Sequence, residues 1–211
     1  YLYLEAEQPI VNSGALINNE IHYNRTSAEG QNEAIVLGFS SKVVNVRYGI
    51  SFISEEQAQE NLEREINTYR VDDLARIGKD IWNETLGKIE VGGGSESDKV
   101  VFYTSLYRTY ERMINISEDG KYYSAFDGKI HEDGGVPFYT DDWIWDTYRA
   151  THPLRILIEP QKELDMIRSY IRMAEQSDRR WMPTFPEVTG DSHRMNGNHA
   201  VAVIWDAYCK G

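Results

Sequence analysis

The pattern of hydrophobic and polar residues changes at Ser54. Before that point, β-branched and aromatic residues cluster at 34–39 and 43–53, and residues 1–6 partly alternate, which predicts strands. Ser, Asn, Gly and Glu fill the gaps between these clusters. We therefore expect residues 1–53 to be the C-terminal strands of a β-sandwich domain.

After Ser54 the apolar residues recur at helical spacing. Ser54 and Gln57 form a capping-box sequence at the start of the first predicted helix, where Leu62, Ile66 and Tyr69 mark its apolar face. Further helices are predicted over 71–86, about 99–113, 143–154, from Pro160 and from His199, with long polar loops at 117–140 and 182–198.

Helices that alternate with long polar loops suggest a helical toroid. We expect a helical linker over 54–97 and the N-terminal part of an (α/α)6 toroid over 98–211. The predicted fold class is α+β.

Residues 143–154 concentrate unusual chemistry in one or two helical turns, namely two Trp, a Tyr, an Asp, an Arg and a His. Aromatic faces beside a carboxylate and a guanidinium suit a sugar ring, which stacks on the rings and exchanges hydrogen bonds with the charged groups. Asp146 and Arg149 are three residues apart and would share a helix face. An Asp–Arg pair that braces helices under an aromatic lid is therefore an equal alternative.

The amino-acid composition limits the classes of binding partner. The net charge of −12 over 211 residues disfavours nucleic acid as the main partner. No apolar run is long enough for a transmembrane segment, and the single cysteine, Cys209, excludes an internal disulfide. The chain opens at Tyr1 without a methionine and closes at Gly211 just after a predicted helix. We therefore expect a fragment, with the remainder of the same polypeptide as its partner.

Three segments, taken in order, carry a family resemblance. They are residues 102–108 followed by 119–122 and 126–131, residues 145–150 with 152–154, and residues 195–200 running into 206–211. Together they resemble glycoside hydrolase family 92, the calcium-dependent exo-α-mannosidases, over roughly 82–211. Residues 1–81 match that family only in kind, as the end of a β-sandwich and a helical linker.

The resemblance implies exo-hydrolysis of terminal α-mannosides, such as α-1,2-mannosides of glycans, with inversion. An inverting enzyme needs two carboxyl groups about 6.5–9.5 Å apart, one as acid and one as base. The resemblance also implies a calcium cofactor and an extracytoplasmic location, either periplasmic, cell-surface or secreted. The base and the calcium ligands are expected beyond residue 211.

The resemblance also assigns roles to residues. It places Trp145 in the sugar wall and makes Asp146 an acceptor for sugar hydroxyls. Arg149 is either a sugar donor or the brace of Asp146, with the brace slightly favoured. His199 is included among the substrate-binding residues, and a hydrogen-bonded core histidine is its alternative.

The general acid departs from the family pattern. The family usually has a glutamate shortly before the segment that begins at Met195, and Asp191 occupies that position here. Asp191 is the predicted acid, and Glu187 is the second candidate. The shorter side chain is compatible with a displaced acid, with a leaving group such as phosphate that needs less protonation, or with lost activity in a mannose-binding protein. Either carboxylate is alternatively an ordinary loop residue.

The histidines do not predict a metal site. His131, His152, His193 and His199 lack a recognisable zinc spacing, and no metal ligand is predicted on this chain. Asp141 and Asp142 precede the predicted fourth helix, where we expect them to act as N-terminal caps.

Overall fold

The computed structural model describes all residues 1–211 and confirms a mixed α+β fold. The chain divides into two compact units, Tyr1–Ala75 and Arg76–Gly211. The division at 53/54 and 97/98 and the toroid stay predictions. None of the helices combines the length and the apolar character that a membrane span requires.

The first unit contains two small antiparallel sheets and one helix. The five strands are β1 (Leu2–Ala6), β2 (Ile10–Ile17), β3 (Glu20–Tyr23), β4 (Ala34–Phe39) and β5 (Val46–Ile50). β1 pairs with β5, and β2 lies between β3 and β4. Helix α1 (Glu55–Glu65) packs on the β1–β5 pair. Gly49 permits this close approach, because a Cβ there would lie 2.1 Å from the carbonyl oxygen of Ala58.

Helix α1 begins where the sequence predicts and ends early. The Ser54 hydroxyl accepts a hydrogen bond from the backbone N–H of Gln57 at 3.1 Å, and the Gln57 side chain donates to Asn61. The helix ends at Glu65, with Ile66 as its C-terminal cap, so Tyr69 lies beyond it. Leu62 is buried, as its place on the apolar stripe predicts.

Two further helices follow. Helix α2 (Val71–Leu86) has the predicted bounds. Helix α3 (Glu96–Arg108) starts and ends earlier than predicted. Its start is fixed by Ser95 and Asp98, whose side chains and backbone N–H groups form a reciprocal capping box that the sequence analysis missed.

The long loop predicted over 117–140 is wrong, because the region contains regular structure. Strands β6 (Ile114–Asn115) and β9 (Tyr139–Thr140) pair, and β7 (Lys121–Ser124) forms a hairpin with β8 (Lys129–Glu132). The ring of Tyr122 stacks on that of Phe138 with centroids 4.1 Å apart. This stacking fixes the hairpin against the core of the second unit.

The single helix predicted over 143–154 is also wrong. The segment forms a short helix, α4 (Ile144–Thr147), and a separate helix, α5 (Thr151–Ile158). Pro153 lies in the first turn of α5, where its missing N–H costs no hydrogen bond. The break at Tyr148–Ala150 separates the chemistry of α4 from that of α5.

The remaining elements are α6 (Pro160–Gln176), β10 (Pro186–Glu187), β11 (Gly190–Asp191) and α7 (His199–Lys210). The starts of α6 and α7 match the prediction. The buried face of α6 includes Met166 and Tyr170, whereas Leu164 and Ile171 are exposed. Side chains from α4, α6 and α7 meet in one core, which includes Ile144, Met166, Tyr170, Met173, Ala200 and Val203.

Candidate active site

A buried polar network holds α4 in place. Asp142, just before the helix, accepts a hydrogen bond from the hydroxyl of Thr147 at its end (3.0 Å) and another from Tyr170 on α6. His152 on α5 lies between two carboxylates, with Nε2 3.0 Å from Asp142 and Nδ1 2.7 Å from Glu163. The network therefore connects α4, α5 and α6.

Two acidic partners set the protonation of His152. Burial disfavours the imidazolium, but the hydrogen bonds and charges of Asp142 and Glu163 outweigh that effect and raise the pKa of His152 from 6.5 to about 9. At neutral pH His152 is therefore charged and donates from both ring nitrogens. Burial and the nearby Asp142 charge raise the pKa of Tyr170 well above 10.0, so its hydroxyl remains a donor.

The expected caps of the fourth helix do not form. Helix α4 has no side-chain cap. Asp141 pairs instead with Arg112, whose guanidinium also lies over the Trp143 ring at 4.2 Å. Asp142 faces inward to His152 and Tyr170.

The predicted sugar-contacting residues of α4 lie at the surface. Trp145 is 42% exposed, and its ring meets the ring of His199 with centroids 5.2 Å apart. Tyr148 contacts the same imidazole at 4.4 Å. Asp146 is exposed, and its carboxylate has no side-chain partner. Trp145, Tyr148 and His199 thus form an aromatic cluster beside a carboxylate that is free to accept hydrogen bonds.

Two expectations for this region change. Arg149 forms no ion pair with Asp146, so the brace is wrong; it donates to the Tyr148 hydroxyl at 2.9 Å and is exposed. The break after Thr147 removes the helical spacing on which that pair depended. His199 makes ring contacts and no side-chain hydrogen bond, which also overturns the hydrogen-bonded core alternative.

The two acid candidates lie on one hairpin. In the β10–β11 pair, Pro186 is opposite Asp191 and Glu187 is opposite Gly190. Gly190 has a φ of 110°, a conformation that a side chain would strain. The hairpin joins the start of the α4 region, because the Asp142 N–H donates to the carbonyl of Pro186 at 2.9 Å.

Asp191 organises the surrounding loop. Its carboxylate accepts hydrogen bonds from the backbone N–H groups of Thr184 (2.8 Å), Phe185 (2.9 Å) and His193 (3.1 Å). Burial opposes the charged form, but these three bonds and the charge of His193 prevail and lower the pKa of Asp191. The side chain is only 9% exposed.

Glu187 has a different environment. Its carboxylate pairs with Arg194 at 3.1 Å, and its backbone carbonyl accepts from the Thr140 hydroxyl at 3.2 Å. The two acid candidates therefore differ in their partners, since Glu187 faces a guanidinium and Asp191 faces backbone N–H groups.

A cavity of about 360 Å³ opens beside Asp191. His193, Trp181, Arg179 and Asp178 are among its lining residues. Trp145, Asp146 and Glu187 do not line this cavity. The predicted site residues therefore lie in two groups, the α4 aromatic cluster and the Asp191 loop.

No part of the chain provides a ready metal site. No group of three or more His, Cys, Asp or Glu side chains is placed to hold a metal ion. Calcium takes about six to eight oxygen ligands. The residues present therefore do not fit a calcium site by themselves.

Several site residues escaped sequence analysis. The pairing of His152 with Glu163 carries no local signal, since Glu163 lies on another helix. The contact of Asp191 with His193 had one available signal, the two-residue spacing at which an aspartate commonly bonds the following backbone.

Comparison with known proteins identifies the family. The glycosyl hydrolase family 92 catalytic domain matches residues 57–211, which include α4 and the Asp191 loop. The chain therefore belongs to glycosyl hydrolase family 92, and its class is glycoside hydrolase. No curated protein sequence matches the chain.

Solved structures agree with this assignment. A family 92 inverting mannosidase from Bacteroides thetaiotaomicron VPI-5482 is 30% identical, with a TM-score of 0.88 over 100% of this chain and 29% of that one. A family 92 α-mannosidase from the same species gives 24% identity and a TM-score of 0.84 over 100% and 30%. A further family 92 glycosyl hydrolase is 20% identical, with a TM-score of 0.73 over 98% of this chain and 31% of that one. The chain thus spans about three-tenths of the length of these structures.

Proposed function

We propose that the protein is an exo-acting α-mannosidase that hydrolyses terminal α-linked mannose, such as α-1,2-mannosides of glycans, with inversion. The observation that carries this proposal is the family 92 match over residues 57–211. The similar structure at 30% identity is that of an inverting mannosidase. An extracytoplasmic location belongs to the same proposal and rests on the family resemblance alone.

The α4 aromatic cluster supports the sugar-binding part of this proposal. Trp145 offers an exposed ring face, and Asp146 offers a carboxylate without a competing partner. A pyranose presents an apolar C–H face to such a ring and hydroxyl groups to such a carboxylate. We assign both residues to the terminal mannose, with His199 holding the Trp145 ring.

Inversion requires a proton for the leaving oxygen and a base for the attacking water. We assign the role of proton donor to the Asp191 loop. The base and the calcium ligands are proposed to come from residues outside these 211.

The test uses the full-length protein and α-1,2-mannobiose. Proton NMR at early times should show β-mannose before mutarotation, and exhaustive chelation should abolish turnover until calcium is restored. Early α-mannose would contradict inversion, and full activity after chelation would contradict the calcium requirement. Cleavage of an α-glucoside but no α-mannoside would indicate a different glycoside hydrolase of the (α/α)6 kind.

A second candidate is a mannose-binding protein without activity. The observation that favours it is the carboxylate of Asp191, which is saturated with hydrogen bonds and charged. Titration calorimetry would then detect mannose binding while no mannobiose is cleaved. Measurable turnover that is lost on substitution of the acid would exclude this candidate.

A further inference from the structure

The Asp191 loop contains a second titratable side chain beside the carboxylate. The Nδ1 atom of His193 lies 3.1 Å from Oδ2 of Asp191. The two side chains differ in exposure, since that of His193 is 69% exposed and that of Asp191 is 9% exposed. Both line the cavity of about 360 Å³.

The geometry of Asp191 leaves no place for a transferable proton. Oδ1 accepts the N–H groups of Phe185 and His193, and Oδ2 accepts the N–H of Thr184 and faces the imidazole. The hydroxyl of Thr184 adds a further contact at 3.2 Å. Protonation would replace an acceptor by a donor in front of three backbone N–H groups, which can only donate.

Glu187 is a poor substitute. It does not line the cavity, and both of its carboxylate oxygens lie within 3.4 Å of the Arg194 guanidinium.

His193 has the properties that Asp191 lacks. Its Nδ1 lies 3.1 Å from the carboxylate, and its Nε2 makes no hydrogen bond. The backbone of His193 is held at a φ of 52° by the bond from its own N–H to Asp191, which fixes the start of the side chain. An imidazole that is held beside a carboxylate by its own backbone and is open at Nε2 can act as a general acid.

We infer that His193 is the proton donor of this enzyme and that Asp191 is the residue that positions it. This inference rests on the proposed mannosidase function. His193 Nε2–H transfers its proton to the glycosidic oxygen as the bond from C1 to that oxygen breaks, and the bond electrons pass to the oxygen. Water attacks C1, loses a proton to the base, and His193 is reprotonated from solvent.

Charged groups around the imidazole are mixed. Asp191 contacts it, Arg194 follows it in the chain with Glu187 as ion-pair partner, and Asp178 and Arg179 line the same cavity. Asp191 is the only one of these groups in contact with the ring, so its removal is the most direct perturbation.

The test compares two leaving groups on the full-length protein. α-1,2-Mannobiose needs a proton on its leaving oxygen, whereas 2,4-dinitrophenyl α-mannoside does not. His193→Asn should lower kcat/KM for mannobiose by at least about 100-fold, and that for the dinitrophenyl substrate by less than about 10-fold. The basic limb of the pH profile for mannobiose should disappear.

Asp191→Asn should instead retain the basic limb and lower kcat/KM for mannobiose more than that for the dinitrophenyl substrate, because the proton donor is present but misplaced. A merely structural role of Asp191 would lower both substrates equally and leave the limb in place. Glu187→Gln should not discriminate between the substrates. His22→Gln, on the other compact unit, is the control.

Other results would overturn the inference. A wild-type profile in His193→Asn together with a leaving-group-selective loss in Asp191→Asn would make Asp191 the donor, and a selective loss in Glu187→Gln would make Glu187 the donor. If the wild-type protein cleaves neither substrate, the proposed function itself fails and the inference with it. Thermal denaturation of each variant identifies loss of fold, and His193→Asn, which alters a mostly exposed ring, then decides the question.

Discussion

Two aspartates of the same chain illustrate how surroundings assign a role. Asp146 is exposed and has no side-chain partner, whereas Asp191 is enclosed by backbone N–H groups that lower its pKa. The first is available to a ligand, and the second is already engaged by the protein. Residue type alone does not separate these two cases.

Asp146→Asn tests the sugar-binding assignment. Hydrogen bonds to a charged group contribute about 1.5–3 kcal/mol each, so the loss of two should lower kcat/KM for α-mannosides by at least about 100-fold. The melting temperature should not change, because Asp146 has no partner to lose. Asp80→Asn, an exposed aspartate on α2, is the matched control. Unchanged kinetics in Asp146→Asn would remove this residue from the site.

His152 gives a pH prediction. The rise of its pKa from 6.5 to about 9 corresponds to roughly 3 kcal/mol of stabilisation by protonation. Because the folded-state pKa is above that of the unfolded state, this contribution is fully present below about pH 6.5 and is lost as the pH rises through about 9. Urea denaturation between about pH 6 and pH 10 should show this decline.

His152→Gln should destabilise the protein by a comparable amount at neutral pH and remove the decline at alkaline pH. His22→Gln, a histidine without side-chain hydrogen bonds, should retain the wild-type curve. A wild-type unfolding free energy that is constant up to pH 10 would show that His152 is neutral in the folded protein.

At the scale of elements, sequence patterns found the long helices and missed the short pieces. Helix α2 has enough turns for its apolar spacing to be recognised, and Pro160 marks the start of α6. Helix α4 has four residues, and β9, β10 and β11 have two each, which is too few for any period to develop. Pro153 was the available signal that a new helix starts after α4.

The capping box of α3 leads to a prediction at this scale. Ser95→Ala removes the hydroxyl that accepts the Asp98 N–H and should cost about 1 kcal/mol. Ser105→Ala, at an exposed position inside the same helix, should leave the stability unchanged or slightly higher, because alanine is the better helix former. Equal melting temperatures for the two variants would contradict the cap.

At the scale of the whole molecule, the chain exposes large apolar side chains. Trp205 and Tyr208 on α7 are 64% and 76% exposed, and α2 buries none of its residues despite Ile77 and Ile81. Exposed apolar surfaces of this kind favour association when nothing covers them.

We therefore expect the 211 residues, expressed by themselves, to self-associate. Light scattering after gel filtration should show species larger than a monomer, and a hydrophobic dye should bind. Replacing Trp205 and Tyr208 by Gln should reduce both signals. Replacing the exposed Glu55 and Glu60 on α1 by Gln is the control and should reduce neither. A monomer that melts cooperatively would contradict this expectation.

The candidate site was only partly predictable at this scale. Segment order and spacing were sufficient to place the chain in its family, since those features survive low identity. The grouping of Trp145 with His199 depends on how α7 packs, which no local pattern encodes, whereas the spacing of Asp191 and His193 offered a local signal. The sequence was therefore sufficient to identify the candidate residues, but not to predict all of the contacts between them.

The amide enclosure of Asp191 has a consequence for engineering. One side chain determines both the course of residues 184–193 and the chemistry at the edge of the cavity. Lengthening it to glutamate would drive its oxygens past the amides they now satisfy. A longer carboxylate at position 191 would thus require changes elsewhere in those ten residues, so the loop has to be varied as a unit.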